Sequence, residues 1–174
     1  QPRDLYKGPS LEQNNLNINK TLLKIYGFDF SDFKMLCDSK VSDQCSIMQI
    51  NSTENYVRYH LVSLLEKMKA TPNALPLKTL ILGCTHYPFL TEEIQKVLVE
   101  LRKVKVDGKY RYRNLLAKKV KLIDPSVFTA QEVYNYLNQE KLLNLLDKKM
   151  QADFYISIPN LKNIQVITEA NGQR

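Results

Sequence analysis

From residue 57 onward apolar side chains recur every three or four positions, at Val57, Leu61, Leu64, Leu65 and Met68. That stripe predicts an amphipathic helix running to residue 69, with Asn51 and Glu54 placed as a capping pair at its entry. "TPNALP" then breaks the pattern with its two prolines, and the apolar run "LKTLIL" reads as a short strand. A second stripe, Leu90, Ile94, Val97, Leu98 and Leu101, follows Pro88. Proline suits the first turn of a helix, because its φ is already helical and the N–H it lacks has no partner there. Residues 51–101 therefore form a helix–strand–helix unit.

The flanks are less regular. Residues 1–50 begin as an irregular arm rich in Asn, Gly and Pro, with a short helix near 19–26 and a buried strand, "CSIMQIN", ending at Asn51. Beyond 101, "VKVDGKYRYR" alternates around Asp107 and Gly108, which predicts a hairpin with a type I′ turn. "VKLID" reads as another strand, and Pro125 opens a helix carrying Phe128, Val133, Tyr134 and Leu137, with Thr129 and Glu132 as an alternative capping pair. A leucine-rich helix over 141–146 and a strand pair, "DFYISI" with "IQVIT", complete the segment 102–174. Strands alternating with helices predict an α/β protein with an open, mainly parallel sheet flanked by helices.

At 174 residues and 44% hydrophobic content the chain can bury a core, as one compact unit or two small lobes. No apolar run approaches the roughly 20 residues of a membrane helix, and residues 1–10 lack the pattern of a secretory signal, so no membrane partner is expected. Cys37, Cys45 and Cys84 are odd in number and irregular in spacing. That predicts free thiols in a reducing cytoplasm, with neither a disulfide framework nor a metal site. The net charge of +7 is concentrated at Arg102, Lys103, Lys105, Lys109, Arg111, Arg113, Lys118, Lys119 and Lys121. Such a stretch is a solvated face or a surface for phosphates. With Tyr110 and Tyr112 interleaved, a non-catalytic binding module over 102–121 stays open as an alternative, for an anionic partner or, less expected, nucleic acid.

Candidate chemistry centres on "LILGCTHYPFL", residues 80–90. Cys84 and His86 fall between the end of a strand and the start of a helix, where ligands gather in open α/β sheets. A thiol there has a nearby imidazole, and the Thr85 hydroxyl with the turn's backbone N–H groups can hold a carboxylate or oxyanion. Cys84 as a small buried hydrophobe is the competing reading. Thiol-dependent acyl transfer, with His86 as base, is another.

The word Gly83-Cys84-Thr85-His86-Tyr87-Pro88 resembles the C-terminal active-site signature of the cofactor-independent glutamate racemases, in the aspartate/glutamate racemase superfamily. His86 favours the glutamate branch, since aspartate racemases usually carry an acidic residue there. "LIDPSVFTAQEVYNYL", residues 122–137, resembles the strand and helix opening that follow the signature in that family. The resemblance implies part of a two-lobed fold that interconverts L- and D-glutamate in the cytoplasm, supplying D-glutamate for cell-wall peptidoglycan. It implies two cysteine bases, no cofactor, and a homodimer in the full-length form. Cys84 would be one base, His86 would assist its proton transfers, and Thr85 would hold a substrate carboxylate. Glu54 stands where the family has a further carboxylate, although a helix cap explains it equally well. The family's Asp-Ser-Gly turn and Cys-Asn-Thr motif are absent, and neither "MLCDSK" nor "DQCSIM" matches the missing cysteine. This implies a portion lacking the first catalytic cysteine, inactive alone unless a partner supplies it.

Overall fold

The computed structural model describes residues 7–11, 16–143, 153 and 155. They fall in two compact units, 1–133 and 134–174.

In the first unit, Asn19 caps a 3-10 turn, Lys20–Leu22, by accepting a hydrogen bond from the Thr21 N–H at 2.9 Å. Helix α1 (Leu23–Tyr26) continues it and stops at Gly27, whose φ of 60° only glycine adopts cheaply. Strands β1 (Met35–Cys37) and β2 (Met48–Ile50) pair antiparallel, Met35 opposite Ile50, and every residue of β2 is buried. Ile18, Tyr26, Met35, Met48 and Ile50 join the same core as Val57, Leu61, Val62 and Leu65. The irregular N-terminal segment thus covers the helix that follows it.

One expectation is overturned here. Cys37 and Cys45 form a disulfide, with their Cα atoms 5.5 Å apart, so of the three cysteines Cys84 is the free one. The antiparallel pairing of β1 with β2 brings the two residues together. Asp38 fastens the intervening loop by accepting hydrogen bonds from the Ser46 hydroxyl and from the Ile47 and Ser46 N–H groups, the latter two at 3.0 and 2.8 Å. The hydroxyl first, and then the N–H groups, hold its carboxyl down at about 2.

Helix α2 (Thr53–Ala70) starts with Ser52 as its cap, the hydroxyl accepting from the Asn55 N–H at 3.3 Å. Asn51, expected to cap it, turns back instead and donates from its side chain to the Phe33 carbonyl at 2.9 Å. Strand β3 (Leu77–Ile81) pairs parallel with β6 (Leu116–Ile123), with an irregularity between Leu77 and Thr79. Helix α3 (Thr91–Leu101) packs on α2 and β6 and buries Ile94, Val97, Leu98 and Leu101 of the stripe read from the sequence, whose first position, Leu90, precedes the helix and is half-buried. Strands β4 (Lys105–Val106) and β5 (Lys109–Tyr110) form the expected hairpin, and the positive φ at both Asp107 and Gly108 is that of a type I′ turn. The architecture is α/β, and its parallel part among the described residues is the β3–β6 pair.

Helix α4 (Pro125–Gln139) begins where Asp124 accepts from the Ser126 N–H at 2.9 Å. The helix opens at Pro125 as expected, and Thr129, the alternative cap, lies inside it and donates to the Pro125 carbonyl. Of the apolar side chains this helix carries, Phe128, Val133 and Tyr134 are exposed and Leu137 is half-buried. Helical structure stops at Gln139, and the helix expected over 141–146 is absent from 141–143, the part of it that is described. Its remainder and the final strand pair lie outside the described residues, apart from 153 and 155. No helix of the described residues is long and apolar enough to cross a membrane.

Candidate active site

Strand β3 aims the Cys-Thr-His turn. The Leu82 N–H donates to the Ile123 carbonyl at 2.9 Å, which carries the parallel pairing one residue past the strand. The chain then turns, and the Tyr87 N–H donates back to the Cys84 carbonyl at 3.0 Å. A four-residue 3-10 turn, Tyr87–Leu90, separates this bend from α3, so Pro88 opens that turn and not the helix itself. Within the bend Cys84 Sγ lies 3.8 Å from His86 Nδ1, and Thr85 Oγ1 lies 3.5 Å from the same nitrogen. Cys84 is half-buried while Thr85 and His86 are exposed, so the sulfur is neither sealed in the core nor remote from the imidazole. Thiol, hydroxyl and imidazole converge on one open side of the sheet's C-terminal end.

Glu54 is engaged elsewhere. In the first turn of α2 its carboxylate accepts from Arg58 at 3.3 Å and from Lys96 of α3 at 3.4 Å. Burial alone would raise its pKa, but these two cations outweigh that and lower it. Arg58 also reaches Glu100 at 2.8 Å, which completes a charged clasp between α2 and α3. The structure brings Glu54 beside Phe89 and Leu90 in a shared cleft, but into no hydrogen bond with Cys84, Thr85 or His86.

A residue the sequence reading missed stands closer to the turn. A cavity of about 390 Å³ opens between α2 and the end of β3, and both histidines of the chain, His60 and His86, line it. The α2 wall consists of Thr53, Tyr56, Val57, His60, Leu61 and Leu64, one face at helical spacing. That spacing was the available signal, since His60 continues the face that Val57 begins. The His60 ring lies beside Tyr56 and edge-on to Tyr59, with centroids 6.2 and 5.3 Å away. The residue stays exposed, and the partial burial of its ring lowers its pKa below the ordinary imidazole value.

Curated relatives share this chemistry's family name. The glutamate racemase of Carboxydothermus hydrogenoformans is 38% identical over 89 residues, which is 50% of this chain and 26% of that protein. Those of Clostridium novyi and Clostridium botulinum are 30% and 28% identical over 109 and 131 residues, covering 63% and 75% of this chain. This chain is similar to the glutamate racemases. It spans only 26%, 35% and 41% of the length of those three racemases. No family model and no solved structure matches it.

The basic stretch divides: Arg102 and Arg111 are half-buried, while Arg113 and the six lysines are exposed. Arg111 donates to both Glu66 oxygens at 2.7 Å, and Arg102 donates to the carbonyls of Arg113 and Leu116. Arg113 and Lys105 lie 3.6 and 4.7 Å from the Tyr110 ring centroid. Tyr112 is buried with its hydroxyl on Glu66. Arg111 and Tyr112 thus tie the hairpin region to α2, while Tyr110, Arg113 and the lysines face solvent.

Proposed function

We propose that this chain is part of a cofactor-independent racemase that interconverts L- and D-glutamate, with Cys84 as one of its two thiol bases. The observation that carries the reading is the half-buried Cys84 thiol, 3.8 Å from His86 at the end of a parallel strand, in a chain similar to glutamate racemases. As a thiolate, Cys84 takes the proton from Cα, so the C–H bond breaks, an S–H bond forms and the carbon keeps the electron pair. A second thiol on the opposite face returns a proton to that carbon, which inverts it, and the same steps in reverse restore the first enantiomer. A base that ionises near ambient pH serves both directions. His86 exchanges protons with Cys84, and the Thr85 hydroxyl donates to a substrate carboxylate. Glu54, clasped by Arg58 and Lys96, acts at most by holding α2 against α3 near the turn.

Cys37 and Cys45 are bonded to each other, so the second base comes from another segment or subunit. In this reading the full-length enzyme is a cytoplasmic homodimer that makes D-glutamate for the cell wall. Deuterium uptake at Cα of glutamate, followed by proton NMR in heavy water with the full-length protein, is the test. Cys84→Ala removes the uptake and His86→Asn slows it by roughly 100-fold. Uptake undiminished in Cys84→Ala refutes the assignment. A stable acyl adduct on Cys84 would instead establish hydrolytic chemistry.

A further inference from the structure

The cavity between α2 and the β3–α3 turn has a composition that the amino-acid reaction does not use. We propose that it is a second ligand site, taking a flat apolar monoanion such as an aromatic carboxylate. Its volume, about 390 Å³, lies in the range of small-molecule pockets. The walls come from Val57, Leu61, Leu64, Leu80 and Ile94, and no Lys, Arg, Asp or Glu side chain lines it. Glutamate carries two carboxylates and an ammonium group, and such walls leave those charges without partners at high cost. Cys84 is not on the wall either, so the seat of the amino acid and this cavity are separate places that share His86.

Two features define the occupant. The chain has two histidines, far apart in sequence, and both reach this one cavity. Each ring offers an N–H even when neutral, and the two can bracket a single carboxylate by donating to its oxygens. Tyr56 and Tyr87 also line the cavity, and aromatic side chains beside an aliphatic floor suit a planar apolar body. A bound metal fits less well, because two imidazoles with no carboxylate or thiolate on the wall fall short of the ligands zinc takes. An occupant would touch the imidazole that faces Cys84 at 3.8 Å, linking this cavity directly to the turn.

The test reads binding and does not depend on racemisation, so it stands or falls apart from the proposed function. 2-Naphthoate is titrated into the full chain, with neutral 2-naphthamide as comparator. Two histidines give two imidazole Cε1–H signals in the NMR spectrum, and saturable naphthoate binding moves both of them. Naphthamide binds about tenfold or more weakly, as expected for loss of a hydrogen bond to a charged group. His60→Gln weakens naphthoate by a similar factor and leaves naphthamide unchanged. Leu64→Trp, with its fold checked by circular dichroism, fills the floor and abolishes both. Histidine signals that stay still at saturating naphthoate overturn the proposal, as does equal affinity for acid and amide. Both readouts need only the unmodified chain, so they decide the matter even if Leu64→Trp fails to fold.

Discussion

Asn55 has no exposed surface, and it is tolerated in the core because its amide is fully used. It accepts from the Asp29 N–H at 2.9 Å and donates to the carbonyls of Asp29 and Lys34 at 2.8 and 3.1 Å. Asn55→Ala leaves those backbone groups unpaired, and it should lower stability by about 3 kcal/mol. Urea unfolding with an unchanged slope checks this. Glu66 predicts a pH dependence. Burial pushes its carboxyl up, yet hydrogen bonds from Arg111 and Tyr112 outweigh that and hold it below its ordinary value of 4.5. A depressed carboxyl contributes stability above its unfolded value and loses it as pH falls through the folded value. The unfolding midpoint should therefore drop below pH 4.5 more steeply in the native chain than in Glu66→Gln. Neither role was legible in the sequence, because the partners lie 26 and 45 positions away in the chain and local spacing carries no trace of them.

Among the elements, α2, α3 and the β4–β5 hairpin matched their patterns, because helical periodicity and an Asp-Gly turn are local properties. Strand β1 was missed: at three residues it has no period to read, and it exists through its pairing with β2. The disulfide was missed for the same reason. Cys37 and Cys45 are eight positions apart, a spacing that means nothing until the antiparallel strands bring them together. Closing so short a loop contributes about 2 to 3 kcal/mol in the chain-entropy account. Cys37→Ser, or a dithiol reductant, should lower the stability of the native protein by that amount in denaturant titration. Thiol labelling of the unreduced, unfolded chain should count one reactive cysteine, and three after reduction. Disulfides persist in oxidising surroundings, so the same count, taken on protein trapped with a thiol-blocking agent at lysis, tests the cytoplasmic placement.

Over the whole molecule, large apolar side chains stand in solvent. Ile81 is 65% exposed, Phe89 86% and Phe128 65%, and α4 buries none of its described residues. A chain spanning about a quarter to two-fifths of the relatives' lengths, with this surface, should self-associate or bind hydrophobic dyes. Phe89→Ser and Phe128→Ser should raise its solubility while changing its unfolding free energy by less than about 0.5 kcal/mol. Light scattering together with thermal unfolding checks both halves. By itself the sequence determined the α/β alternation, the stripes of α2 and α3, and the turn that carries Cys84, Thr85 and His86, since each depends on residues a few positions apart. The tertiary structure decided that Cys37 joins Cys45, that Glu54 belongs to an interhelix clasp, that Phe128, Val133 and Tyr134 of α4 are exposed, and that His60 and His86 line one cavity. Those outcomes depend on which distant surfaces come together, and packing, burial and pairing across the chain leave no periodic mark on it.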